Sequence, residues 1–215
     1  AEKRRAAFAK LEALPDVDYS AVWKAKSEVL EQAFAEFSGD PELDAFMTAG
    51  GEDLAQHGLF EAGLAGEKPT KQRIAYRAFL QWIADMQLAA ASSAKNLYRD
   101  LALGSAFDGG EISEGADYFS HGVSIGAPPD PFSRAGQVWN LPPYSPLALS
   151  DAGYAPMRAV LAANMRHAAA LRIDHILGFA RQFWVPRGAE GRHGAYVNFP
   201  VDDLIAITAI ESHRQ

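Results

Sequence analysis

The repeat of apolar residues changes near residue 95, and that change limits the possible folds more than any other feature of the chain. Before it, apolar residues recur with the period of a helix; after it, short stretches alternate as strands do, separated by helix-length segments. Residues 19–37 set Val22, Trp23, Val29, Leu30, Ala33, Phe34 and Phe37 near one stripe, with Lys24, Lys26, Glu28 and Glu31 largely opposite. Asp40-Pro41-Glu42 is a helix start: an N-cap aspartate, a first-turn proline and an acid at the positive dipole end. Gly50-Gly51 is expected to stop that helix and residues 52–64 to form another. Residues 71–95 are apolar almost all round (Ile74, Tyr76, Phe79, Leu80, Trp82, Ile83, Met86, Leu88), which predicts a buried helix.

Residues 96–103 alternate, with Leu97, Arg99, Leu101 and Leu103 on one face and Tyr98, Asp100 and Ala102 on the other. A long irregular stretch is expected over 104–150, which holds six of the twelve prolines. A segment of that length is usually a functional loop, and Phe119, Phe132, Trp139 and Tyr144 distinguish it from a disordered linker. Residues 156–170 read as a helix, 171–176 and 182–185 as short strands, 187–194 as a polar glycine-rich loop and 202–214 as a final amphipathic helix. Strand–loop–helix–strand order implies parallel strands and an α/β class.

Composition narrows the function. A 48% hydrophobic and 22% charged chain can form a core. No apolar run approaches the roughly 18–20 residues of a membrane span, and the charged N-terminus is not followed by a signal-peptide stretch. Absence of cysteine excludes disulfide and thiolate chemistry and fits a cytoplasmic location. A net charge of −7 disfavours a nucleic-acid partner and suits a neutral substrate. His57, His121, His167, His193 and His213 are scattered without metal-ligand spacing, and no Gly-x-Ser-x-Gly, Walker or dinucleotide motif occurs, so neither a metal nor an organic cofactor is expected. The chain lacks an initiating Met, as expected of a piece of a longer product or a processed one.

Leu171-Arg172-Ile173-Asp174-His175 is the segment best suited to chemistry. On a strand, Arg172 and Asp174 project to one side while Leu171 and Ile173 face a packed layer. An arginine beside a carboxylate keeps it ionised, as a carboxylate nucleophile requires. From these five residues alone, a structural ion pair at a strand end fits as well. Asp100 could bond sugar hydroxyls or cap its own loop. Gln137 and Trp139 pair an amide with an aromatic, a combination that stacks on and hydrogen-bonds a pyranose; Trp139 and Tyr144 could equally anchor the loop to the core.

Taken in order, these segments resemble the amylomaltase-type 4-α-glucanotransferases, the disproportionating enzymes of glycoside hydrolase family 77. The matching strings are Leu97-Tyr98-Arg99-Asp100-Leu101-Ala102, Gly126-Ala127-Pro128-Pro129-Asp130-Pro131-Phe132, Gly136-Gln137-Val138-Trp139, Asn164-Met165-Arg166-His167 and Leu171-Arg172-Ile173-Asp174-His175. Tyr196-Val197-Asn198-Phe199-Pro200 and Glu211-Ser212-His213-Arg214 continue the likeness. The resemblance implies an α/β fold, part of a (β/α)8 barrel with helical insertions, in which residues 1–70 form a helical subdomain and 71–215 part of the barrel, with an active-site loop over 104–150. It implies a retaining double displacement on α-1,4-glucans or maltooligosaccharides, with Asp174 as nucleophile and Arg172 orienting it. Asp100 and His175 would bind the cleaved sugar, and Asp130, Gln137 and Trp139 are implied to contact substrate.

Three departures stand out. Trp139-Asn140 replaces the family's usual Trp-Gly, and Ala91-Ser92-Ser93-Ala94-Lys95-Asn96 replaces a longer helix end and glycine-rich turn. The family's acid/base Glu, in a Glu-Asp-Leu-Gly string, and its later Thr-His-Asp string are absent, so a fragment needing the C-terminal part of its barrel is expected. Alternatives are a non-catalytic glucan-binding piece, a barrel completed by another chain, or a hydrolase of the wider α-amylase group.

Overall fold

The computed structural model describes residues 2–102 and 104–214. They form two compact units, residues 1–86 and 87–215. In the first, helix α1 (Glu2–Glu12) is followed by α2 (Tyr19–Glu36) and α3 (Pro41–Leu64). Aspartates start the latter two: Asp18 accepts the N–H of Ala21 at 2.9 Å and Asp40 that of Glu42 at 2.8 Å, each satisfying a donor that has no partner inside its helix. The stop expected at Gly50-Gly51 is a kink, because Gly51 takes φ 49° and ψ −135° while the helix resumes beyond it.

Helix α4 (Lys71–Lys95) runs out of the first unit into the second. It is not buried all round as its composition predicts. Burial is confined to Tyr76, Arg77, Ala78, Phe79 and Trp82. The core it meets, built on Leu43 and flanked by Leu30, Phe34, Phe37 and Phe46, supplies apolar partners only along those turns. Phe79 packs tilted on Phe34, Phe37 and Trp82 at centroid separations of 5.3, 5.1 and 6.0 Å, each pair contributing about 0.5–1.5 kcal/mol beyond its burial.

The second unit contains two sheets. Strand β1 (Tyr98–Asp100) alternates as expected, with Arg99 half-buried between exposed neighbours; Leu103 of the predicted strand lies outside the described residues. The predicted irregular stretch is more ordered than its prolines suggest. It contains helix α5 (Gly110–Glu114), strands β2 (Val123–Ala127) and β3 (Gln137–Val138), and helix α6 (Pro146–Asp151). Helix α7 (Ala155–Met165) stops before residue 170 because Arg166 turns extended and His167 takes φ 62°. Strand β4 (Ala170–Arg172) lies parallel to β1.

Strands β5 (Arg181–Pro186) and β6 (Ala195–Asn198) precede the last helix, α8 (Val201–Arg214). The expectation of parallel strands holds for β1 and β4 but is corrected for the others, which form an antiparallel sheet in the order β3-β2-β5-β6. The glycine-rich segment between β5 and β6 is too short for a crossover, so it can only return the chain as a hairpin. Leu149, Phe179, Phe199 and Leu204 form the core beneath these elements. Helices α7 and α8 are tied by Glu211, whose carboxylate is buried and accepts from Arg158 at 3.2 Å and Arg214 at 2.7 Å.

Candidate active site

The parallel pair builds the site. Its register sets Arg99 opposite Leu171 and Asp100 opposite Arg172, so two side chains 72 residues apart meet at the C-terminal ends of their strands. Arg172 bridges two carboxylates: one Nη donates to Asp100 Oδ1 and the other lies against Asp174 Oδ2, both at 2.8 Å. Beneath them Arg99 points the other way and donates to the carbonyls of Ala163 and Asn164 at 3.2 Å, fixing β1 to the end of α7.

The strand expected over 171–176 ends at Arg172, so Asp174 lies two residues beyond β4 in the turn that follows, and its second oxygen accepts the N–H of His175 at 2.8 Å. That bond and the Arg172 guanidinium both favour the charged form, holding the Asp174 carboxyl below the usual carboxylate range. The same ion pairs push Arg172 upward, so both groups are ionised at neutral pH. His175 adopts a left-handed conformation, φ 48°, which for a residue bearing a Cβ costs roughly 1–2 kcal/mol. The turn is held by the N–H of Gly178 donating to the carbonyl of His175 at 2.7 Å.

From the other sheet come Gln137 and Trp139. Strand β3 pairs with β2, and the Trp139 N–H donates to the Ile125 carbonyl at 3.0 Å. The Trp139 indole N–H donates to Gln137 Oε1 at 2.9 Å, and its ring meets His175 at 5.0 Å, tilted by 46°. Asn140 takes φ 58°, the conformation that favours glycine, and asparagine tolerates it better than most residues. Gln137, Trp139, His175, Asp174, Arg172 and Asp100 thus form one continuous set of contacts. Asp130 is not joined to it by the contacts of the described residues: its Oδ1 accepts the N–H groups of Phe132 and Ser133 at 2.7 and 2.6 Å, closing its own turn. Phe132 beside it is fully exposed.

Asp174 and His175 also line a cavity of about 100 Å³, walled by Ile173, Phe179, Gln182 and Glu111. Sequence reasoning missed Glu111 and Gln182, since one lies just after a double-glycine turn and the other is one polar residue in a strand. Glu111 accepts hydroxyl hydrogen bonds from Tyr144 and Ser105, one on each oxygen, so here it is an acceptor and not a proton donor. Tyr144 serves as the loop's anchor: its ring stacks on Phe119 at 4.4 Å, and burial together with the Glu111 carboxylate pushes its hydroxyl pKa up. Among the described residues no group of His, Asp and Glu could hold a metal.

An exposed, ionised carboxylate held by an arginine, with an aromatic surface alongside, is equipped for nucleophilic attack on a neutral sugar. Comparison with known proteins gives a family. The family model described as 4-alpha-glucanotransferase, glycoside hydrolase family 77, matches residues 64–215. A 4-alpha-glucanotransferase of Haemophilus influenzae is 42% identical over 154 residues, covering 68% of this chain and 22% of that protein. One of Mycobacterium tuberculosis is 41% identical over 146 residues, covering 65% and 20%. The chain therefore spans about a fifth of the length of these curated relatives. The crystal structure of amylomaltase from Corynebacterium glutamicum superposes with a TM-score of 0.82 at 29% identity, over 90% of this chain and 30% of that one. Amylomaltase from Streptococcus agalactiae, solved in complex with acarbose, shares the fold with a TM-score of 0.78 at 19% identity, over 91% of this chain and 48% of its own. With the strand-end carboxylates and the family match both in hand, the chain carries part of the (β/α)8 barrel with its helical insertions and belongs to the 4-alpha-glucanotransferase family, glycoside hydrolase family 77.

Proposed function

We propose that this chain supplies the nucleophile side of a retaining 4-α-glucanotransferase acting on α-1,4-glucans. The observation that carries the reading is the Arg172 bridge between Asp100 and Asp174 at the ends of two parallel strands. Asp174 Oδ2 attacks the anomeric carbon, the glycosidic C–O bond breaks, and the departing 4-oxygen takes a proton from a carboxylic acid outside these 215 residues. The 4-hydroxyl of a second glucan then attacks the same carbon, returning its proton to that acid and releasing the Asp174 carboxylate. Arg172 holds the nucleophile charged and aimed. Asp100 and His175 accept and donate hydrogen bonds to the sugar being cleaved. Gln137 and Trp139 cover the acceptor path, where an apolar ring face favours a sugar over water, and Asp130 stiffens the loop that leads to them.

In this reading residues 1–70 are a helical insertion, 71–215 part of the barrel, and 104–150 the loop that shapes the substrate path. The acarbose bound by the Streptococcus relative is consistent with a maltooligosaccharide substrate. A cytoplasmic location is proposed on the cysteine-free composition. Among the described residues no helix is long and apolar enough to cross a membrane. The 215-residue chain incubated alone with maltotriose is expected to give neither glucose nor longer maltodextrins, because it lacks the proton donor. Joining it to the barrel segment of a relative that carries the Glu-Asp-Leu-Gly string should restore both products, and Asp174→Asn should abolish them. Turnover by the joined protein that survives Asp174→Asn would remove the nucleophile assignment.

A further inference from the structure

Arg99 stands beside Asp100 in the sequence, yet the proposed reaction gives it no part. Its guanidinium reaches the end of α7, where one Nη donates to the carbonyls of Ala163 and Asn164 at 3.2 Å and of Arg166 at 3.4 Å. The last turn of a helix leaves carbonyls that no N–H of the helix itself can reach. Here Ala162 accepts the N–H of Arg166 at 3.0 Å and Met165 that of Ala168 at 2.9 Å, so Arg99 takes the two between them. A cation also suits the negative end of the helix dipole. From that end the chain reaches β4 through residues 166–169 alone. Arg99 therefore ties β1 to the point from which β4 starts.

That tie matters because little else fixes how β1 lies along β4. Each strand has three residues, and among the described residues the two form a sheet of their own. Leu97, Arg99 and Leu101 make the half-buried row on and beside β1, and Leu171 and Ile173 that on and beside β4. A slip by one residue would turn the row of β1 outward, and burial opposes it. A slip by two keeps every face and brings a leucine opposite Leu171, so apolar packing does not oppose it. It would carry Asp100 about 7 Å along the strand, out of reach of the 2.8 Å bond to Arg172. Arg99 resists that slip, because its Nη would leave the α7 carbonyls by the same distance. We propose that Arg99 is a positioning residue: by capping α7 it sets the register of β1 on β4 and so delivers Asp100 to Arg172, which holds Asp174. The inference rests on the function proposed above, in which that bridge aims the nucleophile, and adds to it a residue that touches no substrate.

The test reads the register through Asp174, by carboxyl carbon NMR of the 215-residue chain across pH. Asp100→Asn removes a negative charge that shares Arg172, so it is expected to lower the Asp174 midpoint. In an Arg99→Met background the same replacement should no longer move that midpoint, because Asp100 has already left Arg172. Arg99→Lys returns a cation to the helix end and should recover part of the shift. Leu161→Ala is the control for mere loosening of α7: it removes a fully buried side chain from the same helix and should leave the shift in place. A shift undiminished in Arg99→Met, not recovered at all in Arg99→Lys, or equally lost in Leu161→Ala overturns the proposal. If circular dichroism shows that Arg99→Met does not fold, Arg99→Gln replaces it. That variant keeps a donor without the charge, so the shift should shrink, and an unchanged one refutes the role. An Asp174 midpoint that Asp100→Asn leaves unmoved in the otherwise natural chain removes the bridge, and the proposal with it. No turnover is measured, so an error in naming Asp174 the nucleophile is read separately, from the joined protein.

Discussion

Adding one methyl group at Gly126 should displace Gln137 and, through it, the aromatic side of the site. A Cβ on Gly126 would stand 2.2 Å from the Gln137 carbonyl oxygen and 3.0 Å from Val185 Cγ2, against 3.4–4 Å for ordinary contact. One side is backbone and the other a buried valine, so the strain relaxes only if β3 retreats by about 1 Å. A retreat of that size breaks the 3.0 Å bond from the Trp139 N–H to Ile125, together with the neighbouring β2–β3 bond. Overpacking of about 1–3 kcal/mol plus one or two lost hydrogen bonds at about 0.5–1.5 kcal/mol each gives roughly 1.5–6 kcal/mol for Gly126→Ala. For a chain of this size that lowers Tm by roughly 3–24 °C, at about 2–4 °C per kcal/mol. Gly122→Ala is the control: Gly122 also lies beside β2 and has φ +81°, but nothing stands within 4 Å of its Cβ position, so the cost is limited to about 1 kcal/mol of backbone strain. Thermal unfolding by circular dichroism measures both variants, and the indole N–H shift of Trp139 reports whether its contact with His175 survives. An unchanged Tm and an unchanged Trp139 signal in Gly126→Ala, or equal losses in the two variants, would refute the claim that close backbone approach positions Gln137.

Arg172→Met should raise the midpoint of Asp174, followed by carboxyl carbon NMR, but not fully to the ordinary value, because the His175 N–H remains; a midpoint that falls or does not move contradicts the assigned cause. Since the folded value is depressed, the stabilisation from Asp174 is present above its unfolded pKa and is lost as pH falls through the folded one. Glu67 is likewise held low, chiefly by its bond to Arg73, so the helical unit should lose stability as pH drops below about 4.5. Glu67→Gln should flatten that acid dependence in urea titrations of helix content, and an identical slope in the variant would count against it. Leu161→Ala removes a fully buried side chain from α7 and should cost about 2–5 kcal/mol by chemical denaturation, whereas a loss under 1 kcal/mol would mean that the site collapses without a cavity.

Local chemistry made part of this structure legible in advance. Asp18 was not singled out, but the helical stripe after it and the Asp40-Pro41 start both give helices where their patterns place them. Strands β1 and β4 were readable because leucines alternate with polar residues there. Strand β2 was hidden, since Val123-Ser124-Ile125-Gly126-Ala127 is short and runs into Pro128-Pro129, which reads as loop. The expected pairing of Arg172 with Asp174 is made across the turn beyond β4 and not along a strand, and no local rule gives the other partner of Arg172, which is fixed by register with a strand 72 residues earlier. The resemblance supplied Asp100, and packing shows why it is there. For Asn140 the sequence raised a question about the local backbone: Asn140 takes the left-handed conformation that glycine adopts freely and asparagine tolerates.

That long separation also bears on how the molecule is assembled. Asp100 and Asp174 are brought to opposite sides of Arg172 only when β1 and β4 come together, which closes a loop of some seventy residues and sets an entropy cost that local helix formation does not share. Until that closure Arg172 has Asp174 two residues away but lacks Asp100, its other carboxylate partner. The two-carboxylate bridge on Arg172 is therefore completed only by that long-range closure. A chain arrested before the parallel pair closes would keep the local Arg172–Asp174 pair and lack the Asp100 half of the bridge.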